Sequence, residues 1–99
     1  MGVGLAPCTL PANGAPNFEI GAGKMEIGIG HHGEPGMAVV DLKPADEVAD
    51  EMLRLVLDDH DLASGDEVCV LVSGLGATPL NELYVLYDRI EGQLAERGI

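Results

Sequence analysis

The run Met25-Glu26-Ile27-Gly28-Ile29-Gly30-His31-His32-Gly33-Glu34-Pro35-Gly36 is the stretch on which the interpretation of this chain depends. Its first part, residues 25–30, alternates well enough to predict a β-strand. Two histidines then follow among glycines. Glycine has no Cβ atom, so a ligand can come close to the backbone. Histidine can act as a nucleophile, an acid or a base near neutral pH. The run therefore predicts a small-molecule site, not a surface turn.

The two histidines are distinguished by the face of the strand on which they fall. If residues 25–32 run extended, alternate side chains point to opposite faces. An apolar face, expected to pack on a helix, carries Met25, Ile27, Ile29 and His31. The opposite face is nearly bare of side chains, which leaves a groove, and it carries Glu26, Gly28, Gly30 and His32. We therefore predict that His32 is the functional histidine, an assignment that weakens if the strand already ends at Gly30.

Several roles for this histidine pair are open from spacing alone. A neutral imidazole can attack a carbonyl, transfer a proton or ligate a metal, and the pair can instead cap a turn and bind nothing. A metal site built from His31, His32 and Glu34 is disfavoured, because adjacent histidines on an extended chain diverge and no HxH or HExxH spacing is present. His60 lies in an acidic loop and is predicted to be solvated.

The first third of the chain is rich in turns. Nine of the 14 glycines and four of the six prolines fall within residues 1–36, and residues 1–24 show no clear periodicity. Short strands are predicted at Leu5–Cys8, Phe18–Ile20 and Val39–Leu42.

Two amphipathic helices are predicted in the second part. The first starts at Pro44, ends near Asp58-Asp59 and carries the stripe Val48, Met52, Leu55 and Val56. The second has Thr78 as N-cap and Pro79 at its first position, ends at Arg97 and Gly98, and carries the stripe Leu80, Leu83, Leu86, Ile90 and Leu94.

The segment between the helices is a near-continuous apolar run, Glu67–Ser73, typical of a buried central strand. The turn Gly74–Thr78 that follows is either a tight structural turn or a ligand-facing loop. These elements predict an α/β fold with a mixed sheet flanked by helices. We expect one domain over residues 1–99, with a loop-rich part at 1–24 and an α/β part at 25–99. Because so few strands make a poor support for the helices, we also expect a fragment of a longer protein.

Charge and cysteine content exclude several classes of function. The formal net charge is −12, and the basic residues stand singly, which disfavours binding to nucleic acid or an anionic membrane.

No window approaches about 18 consecutive apolar residues, and the first residues lack the basic region of a secretory signal. Cys8 and Cys69 are far apart without metal-type spacing, so we expect two reduced, buried thiols and a cytoplasmic protein.

Four stretches resemble the K subunit of dihydroxyacetone (glycerone) kinase, in the second domain of that subunit. They are Leu5–Pro11, Met25–Gly30, His32–Gly36 and Gly74–Leu80. Further similarity at Ser64–Val68 and Glu82–Tyr84 extends the resemblance over nearly the whole chain, and the His-Gly-Glu-Pro-Gly run is its most specific part.

The resemblance implies a mechanism and a set of partners. In this family a histidine forms a covalent hemiaminal with the carbonyl carbon of a small hydroxyketone, and a terminal hydroxyl is then phosphorylated. That histidine maps onto His32, with Gly30, His31 and Gly33 as substrate-binding neighbours. The family's acid/base pair lies in an upstream domain, and its phosphoryl donor is ATP on a nucleotide-binding L-type domain or subunit, or a phosphorelay subunit. No cofactor is therefore expected to bind this chain, and the chain alone is expected to be inactive.

One departure from the family pattern and one alternative function leave other interpretations open. The family usually has an apolar residue where this chain has His31, so a related sugar such as a four-carbon ketose is a second substrate class. A non-catalytic module that senses a small carbonyl compound, or a homodimerisation module, is the alternative to a kinase part.

Overall fold

A three-stranded antiparallel sheet organises the first 42 residues. The computed structural model describes residues 1–7, 9, 11–16, 19–31 and 34–99. The strands are β1 (Val3–Gly4), β2 (Lys24–Ile27) and β3 (Ala38–Asp41), and β2 lies in the centre of the order β1-β2-β3. Two helices follow, α1 (Ala45–Leu57) and α2 (Leu80–Glu96). The α/β fold expected from the sequence is confirmed.

The chain divides into two compact units, Met1–Leu42 and Lys43–Ile99. The sheet forms the first unit and the two helices with the segment between them form the second. The expectation of one domain over residues 1–99 stays a prediction.

The hairpin of β2 and β3 is fixed by its register and by a cross-strand ion pair. Lys24 pairs with Asp41 and Ile27 pairs with Ala38 in an antiparallel ladder. The Nζ atom of Lys24 donates to Oδ1 of Asp41 at 2.6 Å, which lowers the pKa of that carboxyl through the hydrogen bond and the adjacent charge. Met25 and Ile27 are buried, so the alternation predicted for this apolar face is confirmed within β2.

The strands differ from the predicted ones at their ends. β2 ends at Ile27 instead of residue 30, because Gly28 adopts a φ of +84° that an extended strand does not have. β3 begins one residue before the predicted strand at Val39. The strands expected at residues 5–8 and 18–20 are wrong for the part that the structure describes, which excludes Cys8 and Phe18. An isolated bridge between Thr9 and Pro16 is found in that turn-rich region instead.

The second unit is held together by a small aliphatic core between α1 and α2. Its buried members are Ala49, Leu53, Ile90 and Leu94, and the partly buried side chains packed against them are Leu57, Val70, Val72, Leu86 and Ile99. Helix α1 begins at Ala45 with Pro44 as its N-cap, one residue after the predicted start. Its core stripe is Ala49, Leu53 and Leu57, with i, i+4, i+8 spacing. Of the predicted stripe, Val48 is buried and Val56 is exposed.

Both ends of α2 have a clear physical basis. Pro79 occupies the N-cap position, and its carbonyl accepts from the N–H groups of Glu82 and Leu83. Thr78 therefore lies one residue too early, and the predicted side-chain cap is wrong. At the other end the N–H of Gly98 donates to Ala95 O and the N–H of Ile99 donates to Leu94 O. With Gly98 at φ +76°, this is a Schellman motif.

The apolar segment 67–73 is not the buried central strand that its composition predicts. Val70 and Val72 pack on the helical core, while Leu71 is 88% exposed and Val68 is 43% exposed. Among the described residues no strand pairs with this segment. Because only one face of this segment packs against the helical core, side chains on its other face, such as Leu71, are exposed to solvent.

A polar cluster joins the two helices at the surface. Both carboxylate oxygens of Asp50 on α1 accept from the Arg89 guanidinium on α2, at 2.7 and 2.9 Å, and the Gln93 amide also donates to Asp50. The hydrogen bond from Arg89 is the largest influence on the Asp50 carboxyl and holds its pKa below the ordinary value. Solvent screens this cluster, so its effect on stability is modest.

Ile90→Ala should lower the free energy of unfolding by about 2–4 kcal/mol, because it leaves a cavity in the helical core. Leu71→Ala is the matched control: its side chain is exposed, so about 0.5 kcal/mol or less is expected. Denaturant unfolding of both variants measures this difference. Equal losses for the two would contradict the assignment of the core.

Asp50→Asn should change how stability depends on pH. The folded pKa of Asp50 lies below its unfolded value, so its contribution is complete above about pH 4 and is lost as the pH falls through the folded pKa. The variant should therefore lose less stability than the wild type on acidification from about pH 6 to about pH 3. Asp61→Asn, which removes an exposed loop charge, is the control in thermal melts. Identical acid profiles for wild type and Asp50→Asn would refute the linkage.

Candidate active site

The candidate site is the loop of residues 28–37 that connects β2 to β3, here called the histidine loop. It forms the tip of the β2–β3 hairpin, so the sheet fixes where it begins and ends. His31 lies in it and is exposed. His32 and Gly33, which carry the sequence-based assignment, lie outside the described residues.

Four hydrogen bonds from backbone N–H groups hold this loop to the sheet and to itself. Met37 donates to Ile27 O at 2.6 Å and Gly28 donates to Gly2 O at 2.8 Å, which fastens both ends of the loop. Gly30 donates to Glu34 O at 3.0 Å, a bond between two residues of the loop itself. Gly36 donates to Oε1 of Glu26 on β2 at 2.5 Å. The loop is therefore anchored by β2 through both backbone and side chain.

The three described glycines of the loop, Gly28, Gly30 and Gly36, are required by contacts within the protein. A Cβ atom on Gly36 would lie 2.5 Å from Ile27 O and 2.6 Å from Cγ of Glu26. A Cβ on Gly28 would lie 2.7 Å from Cγ of Met37, and one on Gly30 would overlap the side chain of Glu34. Where the sequence predicted an open groove, Met37 and Glu34 fill the space beside Gly28 and Gly30. That Gly30 also contacts a ligand stays a prediction.

The selection of His32 by strand alternation is not supported by β2, because this strand ends before the histidines. β2 ends at Ile27 and Gly28 has positive φ, so the alternation of a strand does not extend to residues 31 and 32. Ile29 is half-buried and His31 is exposed. The roles of His32 as anchor and of His31 and Gly33 as neighbours are thus predictions that rest on the sequence.

One residue of the site was missed by sequence reasoning. Glu26 was placed on the bare face of the strand but given no role, whereas its carboxylate accepts the hydrogen bond from Gly36. A charged residue on a face otherwise made of glycines was the signal that could have identified it.

The second glycine turn is structural. The N–H groups of Ala77 and Thr78 both donate to Gly74 O at 3.2 Å, so neither is directed at an external ligand. Gly76 has φ +94° and Leu75 has φ +49°. The interpretation of residues 74–78 as a tight turn is therefore favoured over a ligand-facing loop.

Among the residues that the structure describes, the remaining candidate groups give no second site. His60 is exposed, as predicted, and lies in a shallow depression with Asp58, Ser64 and Arg97. Cys69 is a free thiol but is exposed, so its predicted burial is wrong. Within the described ranges, no three His, Cys, Asp or Glu side chains are grouped so that they could hold a metal ion.

Comparison with known proteins identifies the family. The model of the Dak1 domain matches residues 1–99, and the chain belongs to this family. It is 41% identical over 99 residues to the dihydroxyacetone-binding subunit DhaK of a PTS-dependent dihydroxyacetone kinase from Listeria innocua, covering 100% of this chain and 30% of that subunit. It is 44% identical over 104 residues to a putative 3,4-dihydroxy-2-butanone kinase from Solanum lycopersicum, covering 100% of this chain and 17% of that protein. The resemblance found in the sequence is confirmed.

The chain spans only part of each of these relatives. A third relative, an L-erythrulose kinase from Pectobacterium atrosepticum, is 37% identical over 103 residues, which make up 18% of its length. In the parts of the chain that the structure describes, no helix is long and apolar enough to cross a membrane.

Gly36→Ala should destabilise the histidine loop, because its Cβ atom would meet backbone and side-chain atoms of β2. We expect a loss of about 1–3 kcal/mol in the free energy of unfolding, as for overpacking in general. Gly21→Ala, whose Cβ would lie 3.7 Å from the Lys24 side chain, is the control and should stay near wild type. Thermal melts with amide spectra of residues 26–37 test both, and an unperturbed loop in Gly36→Ala would contradict the packing described here.

Proposed function

We propose that this chain is the substrate-binding part of a kinase that phosphorylates the terminal hydroxyl of a small hydroxyketone. The observation that carries the proposal is the match of the Dak1 domain over all 99 residues. The printed names of the relatives add to it, since dihydroxyacetone, 3,4-dihydroxy-2-butanone and erythrulose are all ketones with neighbouring hydroxyl groups.

His32 is proposed as the covalent anchor for the ketone. The unprotonated ring nitrogen of a neutral imidazole attacks the carbonyl carbon, and the C=O π electrons move to the oxygen. The oxygen gains a proton and the imidazolium loses one, which leaves a neutral hemiaminal. Glycerol has no carbonyl and cannot form this bond, so the anchor selects ketones over alcohols. The anchored substrate then presents a terminal hydroxyl to the phosphoryl group, and orientation of this kind lowers the barrier to transfer.

The structural support for this role is the anchoring of the histidine loop. Both ends are bonded to the sheet, and within the loop Gly30 donates to Glu34 O. His31, next to the proposed anchor in the sequence, is exposed. A nucleophile must be held in a defined position to react efficiently, and the bonds at the described ends of the loop support the proposal that His32 is held in this way. Gly30, His31 and Gly33 are proposed as neighbours of the bound ketone.

The complete activity belongs to the protein of which this sequence forms part. An upstream domain of the same family, and a phosphoryl donor that is either ATP on an L-type domain or subunit or a phosphorelay protein, complete the proposal. A homodimer and a cytoplasmic location are further elements of it. The name of the Listeria relative, a subunit of a PTS-dependent kinase, favours a multi-subunit arrangement.

The test replaces the matching 99 residues of the Listeria DhaK subunit with this chain and measures ketone-dependent phosphoryl transfer with that enzyme's own partner subunits. His32→Ala should reduce turnover of dihydroxyacetone or erythrulose about 100-fold or more, since orientation of the substrate is lost. His31→Ala should have a smaller effect, and His60→Ala, in an exposed loop, serves as the control.

Turnover that survives His32→Ala would contradict the anchor. A wild-type chimera that binds ketones but never phosphorylates them would contradict the kinase and favour a module that senses carbonyl compounds.

A further inference from the structure

Glu26 occupies an unusual position for a strand carboxylate. It lies in the centre of β2, between the buried residues Met25 and Ile27, and is itself half-buried. Its partners across the strands are Gly4 on β1 and Val39 on β3, so the ladder does not pair it with a cation. Its Oε1 atom accepts the N–H of Gly36 at 2.5 Å, across ten residues of chain.

The hydrogen bond from Gly36 lies at the point where the histidine loop rejoins the sheet. The next N–H group, that of Met37, donates to the backbone carbonyl of Ile27. The N–H of Gly36 instead donates to a side chain on the same strand. A half-buried N–H group needs an acceptor, and an ionised carboxylate is a stronger acceptor than a neutral carbonyl.

The packing around this bond leaves no room for a larger residue than glycine at position 36. The backbone of Gly36 lies so close to β2 that a Cβ atom would be 2.6 Å from Cγ of Glu26 and 2.5 Å from Ile27 O. The Glu26 side chain therefore both covers the glycine and binds its N–H. A further bond, from the N–H of Gly30 to Glu34 O, joins two residues of the loop to each other.

We propose that Glu26 is a positioning residue that sets the conformation of the histidine loop, and through it the affinity for the ketone. The expected effect on ketone affinity rests on the proposed function. The expected effect on the loop conformation rests on the hydrogen bond from Gly36 alone. Glu26 acts as an acceptor of a hydrogen bond and is not required to touch the substrate.

Hydrogen exchange at the Gly36 amide tests the structural part in the full chain. Glu26→Leu removes the acceptor and should accelerate exchange about tenfold or more, equivalent to about 1.4 kcal/mol of protection. Glu26→Gln keeps an acceptor oxygen and should stay within about threefold of wild type. Asp41→Asn is the matched control, because it removes the ion pair with Lys24 at the opposite end of the same hairpin and should leave Gly36 exchange unchanged.

Steady-state kinetics of the Listeria chimera test the consequence for the site. Glu26→Leu should raise KM for the ketone about tenfold or more, with KM for the phosphoryl donor unchanged, and Glu26→Gln should restore ketone KM. A variant that only destabilised the protein would lower the active fraction and move neither KM.

The outcomes separate this inference from the function on which it rests. Unchanged Gly36 exchange in Glu26→Leu, or equal acceleration in Glu26→Gln, would overturn the positioning role. Altered exchange with unaltered ketone KM in an active chimera would overturn the link to affinity. If His32→Ala leaves ketone turnover intact while Gly36 exchange responds as expected, the anchor assignment fails and the loop-setting role of Glu26 stands.

Discussion

The close approach of Gly36 to β2 is the constraint on which the rest of the histidine loop depends. The glycine fits only because it lacks a Cβ atom, and this contact brings its N–H group to the carboxylate of Glu26. The next residue then joins the backbone ladder through Ile27 O, so that β3 starts in register with β2. A short sheet with few buried residues thereby fixes both described ends of the histidine loop. The chemistry proposed for the loop needs this restraint, because a histidine that bonds to a carbonyl carbon must be held where the substrate arrives.

Much of the fold was predictable because local rules agree with the final structure. Pro44 and Gly98 delimit helices as their backbone preferences require, and the alternation of Met25 and Ile27 marks the buried face of β2. Prediction from the sequence was wrong where contacts with other elements decide which residues are buried or paired. Segment 67–73 has the composition of a buried strand, but a strand also needs a neighbour to bond to, and the described residues provide none. On α1 the predicted Val48 is buried, but the residues that pack on the partner helix are Ala49, Leu53 and Leu57. Both sets fit a helical period, and only the partner helix selects between them.

The position of the candidate site in the sequence was predictable, but the contacts made by its residues were not. The run of glycines and histidines after an apolar strand identified the loop, and its family resemblance was confirmed over the whole chain. The glycines were expected to leave room for a ligand, yet Met37 and Glu34 occupy the space beside two of them. Which atoms fill that space depends on how the loop folds back, and the positive φ of Gly28, which ends the strand early, cannot be obtained from alternation. The role of Glu26 could not be predicted either, because Gly36, which donates a hydrogen bond to its carboxylate, is ten residues away along the chain.

NMR of the Listeria chimera tests whether a histidine of this loop bonds covalently to a ketone. The chimera is labelled with ¹⁵N in its histidines and mixed with dihydroxyacetone carrying ¹³C at the carbonyl carbon. The bound carbon should become tetrahedral and show a one-bond coupling to an imidazole nitrogen, and His32→Ala should abolish this signal. Bound ketone whose carbon shows no such coupling in the wild-type chimera would contradict the covalent anchor.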